Sequence, residues 1–206
     1  MAKLIKSTKF DGVTGPSGAG KSLFCSYFEE IGCLHLDCDK IYHSLVDSPS
    51  ECTRALEAEF GQAVLNPDGS LCRPALAEIV FAPGADSLRA KLNKITHAFV
   101  LDEVRRAIAN TDAPCAIIDA PLLFEAGYEK ECDLTIALLA SPELRLARLC
   151  ERDNRPVEAL KARMAAAPSD EFYSSRASIT VINDGDGQKL REAATNIIEK
   201  HVRIIK

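Results

Sequence analysis

Gly15-Pro16-Ser17-Gly18-Ala19-Gly20-Lys21-Ser22 is a complete G-x-x-x-x-G-K-S pattern. Small glycines let backbone N–H groups turn inward around phosphate oxygens, at the positive end of the helix that begins at Gly20. Lys21 reaches toward β- and γ-phosphates, and the Ser22 hydroxyl is placed to ligate Mg²⁺. A random chain of this length matches the pattern on the order of once in a hundred or less. The competing reading is a glycine-rich turn carrying a surface lysine. It loses ground because a strand precedes the loop and a helix follows it, the context the motif requires. The stretch therefore reads as a nucleotide-phosphate site. The loop alone does not choose between a kinase, a GTPase switch and a mechanical ATPase. Asn93-Lys94-Ile95-Thr96 comes close to the base-reading N-K-x-D of GTPases, but it ends in Thr and reads as helix interior. No L-S-G-G-Q occurs.

Outward from the loop, Lys9 to Thr14 is a short strand weakened by Gly12, and Lys21 to Ile31 a helix stopped by Gly32. Cys33 to Cys38 reads as a buried strand. Helical stretches follow near Asp39–Val46, Glu51–Phe60 with Ser50 as cap, and Pro74–Phe81, the last two separated by an Asn66-Pro67-Asp68-Gly69 turn. Asp86 to Ala109 is one long or broken helix. Cys115–Ala120 and Leu134–Leu139 are continuous apolar runs, the mark of a sheet covered on both faces. Ser141-Pro142-Glu143 starts a helix, Ile179–Ile182 is a last strand, and Gln188–Val202 an amphipathic closing helix. Strands alternating with helices predict an α/β fold with a mainly parallel sheet. The helix-only stretch from Asp39 to Ala109 interrupts that alternation and marks an inserted subdomain.

Composition excludes several classes. With 206 residues, 47% of them hydrophobic and 27% charged, the chain has the globular average and can bury a core without a metal or disulfide staple. No apolar run is long enough to span a bilayer. Met1 to Lys9 is basic, but no apolar segment follows it, so no secretory signal is expected and the cytoplasm is the expected compartment. There the eight cysteines are expected as thiols, buried as small hydrophobes; none forms a C-x-x-C pair that would suggest zinc. A net charge of -5 argues against a broad nucleic-acid surface, though not against a local anion site.

Asp37 and Asp39 end the second strand, where ligands collect in open α/β sheets. A carboxylate there can orient an acceptor hydroxyl or take its proton. Equally, Asp39 can cap the helix starting at Lys40, worth about 1 kcal/mol, and both readings can hold together. Asp119 ends the third strand and has the position of an acid that holds Mg²⁺, with a purely structural acid as the alternative. Arg145, Arg148 and Arg152 share one helical face, followed by Arg155. They read either as a phosphate clamp or as salt-bridge partners of Glu143 and Glu151. The small, Ala-rich stretch from Arg155 to Pro168 suits a mobile flap.

Taken in order, several segments resemble the dephospho-CoA kinase family. They are the loop, Leu36-Asp37-Cys38-Asp39, Asp68-Gly69-Ser70-Leu71-Cys72-Arg73, Ile79-Val80-Phe81 and Leu92-Asn93-Lys94-Ile95-Thr96-His97. The most specific is Asp119-Ala120-Pro121-Leu122-Leu123-Phe124-Glu125-Ala126-Gly127, and the resemblance runs on to Ile182-Asn183-Asp184-Gly185. It implies ATP-dependent phosphorylation of the ribose 3′-hydroxyl of dephospho-CoA, the last step of CoA synthesis. The implied fold is a P-loop kinase core with a five-stranded parallel sheet, a helical substrate-binding insertion and a lid. On this chain that gives a single domain, with its core about 1–39, 110–144 and 177–206, its insertion about 40–109 and its lid about 145–176.

Carried over residue by residue, the resemblance implies Asp39 as base with Asp37 beside it, and Arg73 and His97 in the insertion. Pro121, Leu122, Leu123 and Glu125 fall at the acceptor pocket, Arg148 and Arg152 in the lid, and Asn183 near the adenine. Gly15, Gly18, Ala19, Gly20, Lys21, Ser22 and Leu23 would line the phosphates, with Ser22 and Asp119 on Mg²⁺. Leu23 departs from the usual Thr after G-K-S, Ala98 from a Pro after the His, and Ala167 from a lid Gln. The implied partners are ATP, Mg²⁺ and dephospho-CoA; composition points to no nucleic acid and no membrane, and the oligomeric state is open, with a monomer favoured. Another small-molecule P-loop kinase, or a nucleotide-binding regulatory module without catalysis, stays open on the residues themselves.

Overall fold

The computed structural model of the chain describes residues 9–185 and 187–202; apart from Lys9, the basic N-terminal stretch lies outside them. After β1 (Lys9–Thr14), α1 (Lys21–Glu29) and β2 (Leu34–Asp37) come four helices. These are α2 (Cys38–Val46), α3 (Glu51–Phe60), α4 (Arg73–Val80) and α5 (Asp86–Ala109). The α/β pattern resumes with β3 (Cys115–Asp119), β4 (Leu134–Leu139), α6 (Pro142–Asp153), α7 (Val157–Ala165), α8 (Asp170–Ser174), β5 (Ile179–Ile182) and α9 (Gly187–Ile197). A π-type turn over Ile198–Val202 continues α9. The chain divides into two compact units, one of Met1–Leu36 with Thr111–Lys206 and the other Asp37–Asn110.

The first unit is built on a five-stranded parallel sheet of order β2-β3-β1-β4-β5. β1 is central, with Val13 opposite both Asp119 and Ile136. Gly12 therefore does not weaken the strand in the way its propensity suggests. A Cβ there would come within 2.9 Å of Leu123 Cδ1 and 2.8 Å of Cys132 Sγ, so the bare backbone admits the side chains that cover that face.

Period-two alternation then sorts β4. Ile136 and Leu138 pack with Phe24, Phe28 and Leu190 of α1 and α9, whereas Ala137 and Leu139 pack with Tyr173 of α8. Phe24 and Phe28 are fully buried, each contributing about 1.5–3 kcal/mol of apolar transfer free energy.

In the second unit α2 to α5 enclose their own core of Val46, Cys52, Leu56, Val64, Leu71, Leu76 and Val80. Its helix starts correct one expectation. Asp37, not Asp39, caps α2, accepting from the Lys40 N–H at 3.0 Å. The helix begins at Cys38, two residues before the Lys40 start that would make Asp39 its cap, which moves the cap back to Asp37 and leaves Asp39 exposed in the first turn. Ser50 and Thr53 form a reciprocal capping box on α3.

The cysteine expectation is also corrected. Cys33, just before β2, and Cys115, at the start of neighbouring β3, are joined as a disulfide with Cα atoms 4.8 Å apart. Adjacent strands bring together two residues that are 82 apart in sequence, a pairing that spacing along the chain does not signal. Among the described residues the other six cysteines form no disulfide.

Asp11 on β1 is the one buried acid of the central strand. Burial pushes its pKa up from 3.8 to about 6, opposed by His201, whose Nε2 lies 3.0 Å from Oδ1. Asp133 pushes that pKa up and Lys9 pushes it down, and Asp11 in turn adds to the rise of the Cys132 thiol, pushed up to about 12 chiefly by burial. Because the folded pKa is raised, the stability Asp11 contributes is full below pH 3.8 and is lost as pH rises through about 6. Denaturant titrations of the parent and Asp11→Asn should therefore diverge, with the variant gaining on the order of 2 kcal/mol relative to the parent between pH 4 and pH 7. A constant difference across that range would contradict the assignment.

Candidate active site

The loop between β1 and α1 is held from its carbonyl side. Arg145 Nε donates to Ser17 O at 3.2 Å, Arg148 Nη1 to Gly18 O at 3.1 Å, and Asn183 Nδ2 to Ala19 O at 2.7 Å. In a planar trans peptide the N–H points opposite to the C=O. Fixing the Ser17 and Ala19 carbonyls outward thus turns the N–H groups of Gly18 and Gly20 to the other side, where an anion would sit. The Ala19 N–H closes the turn onto Pro16 O. Gly18 has φ +83°, and a Cβ on it would lie 2.7 Å from the Arg145 carbonyl, so this position takes only glycine.

The clamps are themselves fixed. Arg145 is buried, with Nη1 3.4 Å from Asp170 on α8. Asn183, which follows β5, is buried too and accepts from Arg148 Nη2 at 3.4 Å. Arg163 on α7 donates to Ser17 Oγ at 3.2 Å. Arg152 is exposed and paired with its neighbour Asp153 at 2.5 Å. So the row of arginines divides. Arg145 and Arg148 meet the loop, Arg152 does not, and neither Glu143 nor Glu151 is the partner seen.

At the floor of the loop Ser22 Oγ donates to Asp119 Oδ2 at 3.4 Å, and Asp119 is buried at the carboxyl end of β3. Lys21 Nζ donates to Gly15 O at 2.9 Å, folded back over the loop that its charge would leave to meet phosphate. Two hard oxygen donors side by side suit Mg²⁺, which takes few protein ligands and keeps its waters. Leu23 is exposed.

Pro121 to Gly127 forms a compact turn anchored by Thr14 Oγ1, which donates to Pro121 O at 3.2 Å. Within it Leu123 is fully buried and packs in the core, while Leu122 and Glu125 are exposed.

Asp37, Asp39, Arg73 and His97 lie in the other unit. Arg73 opens α4 and donates to Asp47 Oδ1 at 2.6 Å, with His43 Nδ1 at 2.7 Å. The preceding Leu71 is buried and its N–H is bonded to Val46 O, so the turn presents Arg73 at the surface. His97 is half-buried on α5, and that burial holds its imidazole below the usual pKa.

The family profile of dephospho-CoA kinase matches residues 10–189. The chain belongs to the dephospho-CoA kinase family. A curated dephospho-CoA kinase of Moorella thermoacetica is 33% identical over 93% of this chain and 92% of its own. Among solved structures, the dephospho-CoA kinase of Campylobacter jejuni superimposes with TM-score 0.67 and 25% identity over 96% of this chain and 98% of its own. A Thermus thermophilus protein does so with TM-score 0.78 and 28% identity over 94% and 98%.

Sequence reasoning placed Arg145 on the arginine face, but the resemblance carried over only Arg148 and Arg152; the structure puts Arg145 on the loop as well. It left out Arg163, His43 and Thr14, which are revealed only by contacts across the fold.

Arg148 and Arg152 supply a test. Arg148→Ala should weaken ADP binding about tenfold, because one hydrogen bond to a charged donor is worth about 1.5–3 kcal/mol. Arg152→Ala should leave ADP affinity unchanged. Equal effects in calorimetric titration would remove Arg148 from the loop's support.

Proposed function

We propose that this chain transfers the γ-phosphate of ATP to the ribose 3′-hydroxyl of dephospho-CoA, releasing CoA and ADP. The observation that carries the reading is the pre-shaped loop ending in the Ser22–Asp119 pair, on a chain matched by its family over residues 10–189. In this reading Gly15, Gly18, Ala19 and Gly20 wrap the phosphates, with Leu23 just beyond them. Lys21 leaves the Gly15 carbonyl for the β- and γ-phosphates and offsets the charge that builds as the leaving group departs. Ser22 and Asp119 would hold Mg²⁺, which neutralises phosphate charge when bound. Arg148 and Asn183 keep the loop's carbonyls outward while this happens.

Asp39 takes the proton of the attacking hydroxyl. The new O–P bond forms as the bond between the γ-phosphorus and the bridging oxygen breaks, and the pair of electrons leaves on ADP. Relief from capping supports that role, since Asp37 carries the cap and Asp39 is exposed. Arg73, with Asp47 orienting it, offers a guanidinium to the substrate's phosphates. His97, kept neutral by burial, can donate or accept a hydrogen bond. Pro121, Leu122, Leu123 and Glu125 shape the acceptor side, Leu123 by supporting the turn from beneath. The α6–α8 segment acts as lid, with Arg152 as its outer cation and Asn154, at φ 44°, as the turn between α6 and α7.

Incubation with ATP, Mg²⁺ and dephospho-CoA should yield CoA by mass spectrometry. No CoA, or equal turnover of adenosine or nucleoside monophosphates, would overturn the assignment in favour of another small-molecule kinase or a non-catalytic nucleotide binder.

Asp39→Asn should fold and bind ATP yet lose about 10²-fold in turnover, since an amide cannot take the proton. Asp37→Asn should keep the cap and lose less, because Asn and Asp cap equally well. Full turnover in folded Asp39→Asn would place the base elsewhere.

A further inference from the structure

Behind the phosphate loop, two side chains that the transfer reaction does not use, Cys25 and His35, stand beside Asp119, which it does. Cys25 sits one turn into α1, His35 in β2 and Asp119 at the end of β3. One ligand atom from each lies within 4.8 Å of the others. Cys25 is fully buried, and the His35 side chain is nine-tenths buried.

The orientation of His35 is the telling feature. Its Nδ1 lies 3.1 Å from Glu29 Oε1 at the end of α1, whereas its buried Nε2 has no hydrogen-bond partner. With Nδ1–H donated to the carboxylate, Nε2 is left with a bare lone pair in the interior, an unfavourable state unless something binds it. A carboxylate behind a histidine whose other nitrogen points inward is the arrangement that orients histidines on metals. Alternation along the extended chain accounts for the inward aim, because His35 lies two residues after Cys33, a buried residue just ahead of β2 that belongs to the same core as Cys25.

We propose that Cys25, His35 and Asp119 form a site for a borderline-soft divalent cation such as Zn²⁺. The donor set of one sulfur, one imidazole nitrogen and one carboxylate oxygen suits Zn²⁺, not Mg²⁺ or Ca²⁺. Tetrahedral bonds of about 2.0–2.3 Å place ligands about 3.3–3.8 Å apart, so the group closes on the ion with a contraction of about 1 Å. The thiol gives up its proton to solvent as the metal–sulfur bond forms. Thiolate, carboxylate and neutral imidazole then balance the two positive charges, so the burial carries no net charge. Three protein ligands leave a fourth position open. Because Asp119 is shared, occupation by Zn²⁺ withdraws a ligand from Mg²⁺ and silences transfer.

The probe is Co²⁺, whose bond to thiolate gives a near-ultraviolet charge-transfer band. Titration of the nucleotide-free protein should produce that band at one ion per chain. It should be absent in Cys25→Ala and in His35→Val, and Glu29→Gln should weaken binding about 10- to 100-fold. In the Mg²⁺-dependent assay, Zn²⁺ should inhibit the parent, and the half-inhibiting concentration should rise about tenfold or more in Cys25→Ala with turnover in Mg²⁺ alone retained. No band in the parent, as when only water meets Nε2, overturns the site; so does a band that survives both substitutions. The inhibition arm rests on Asp119 as a Mg²⁺ ligand while the spectral arm does not, so failure of the kinase reading leaves the spectrum to decide.

Discussion

Backbone amides can converge on an anion only if the carbonyls of the same peptides are satisfied elsewhere. In this protein Arg145, Arg148 and Asn183 meet that requirement for Ser17, Gly18 and Ala19. The clamping residues lie more than a hundred positions along the chain from the loop, so the α6 helix and the end of β5 must be in place for it to hold its shape. Asp170 on α8 holds Arg145, and Arg148 bonds to Asn183, so the clamps also brace one another. The same requirement accounts for glycine at position 18, where the Arg145 backbone leaves no room for a Cβ.

The chemistry follows from what the loop leaves available. Loop and helix start supply positive potential without mobile charge, so Lys21 is the one cation that must move, from the Gly15 carbonyl to the nucleotide. Asp119 sits where three demands meet: it accepts from Ser22, suits a hard cation there, and borders the Cys25–His35 pair. A single buried carboxylate shared in this way makes the two metal chemistries mutually exclusive.

Much of this was legible in the sequence because it is local. G-x-x-x-x-G-K-S carries its own chemistry, the apolar runs at Cys115 and Leu134 announce buried strands, and Ser50 and Ser141 announce helix starts that the structure bears out. What was not legible depends on contacts distant in sequence. Gly12 reads as a flaw in a strand until Leu123 and Cys132 are seen against it. Cys33 and Cys115 read as separate thiols until adjacent strands join them. Asp37 and Asp39 are two residues apart, and the choice of cap turned on a two-residue change in where α2 begins, from Lys40 to Cys38. The row of Arg145, Arg148 and Arg152 was visible as a pattern. That two of them face the loop and one pairs with Asp153 is a matter of how α6 lies on its neighbours.

The central claim is that nucleotide phosphate is held by the main-chain amides of this loop, turned inward by the side chains behind it. Amide hydrogen exchange across residues 16–24, with and without ADP and Mg²⁺, measures those amides directly. The account predicts that ADP slows exchange at Gly18, Gly20, Lys21 and Ser22, and that Arg148→Ala reduces this protection. Saturating ADP binding with no added protection in that segment would contradict it.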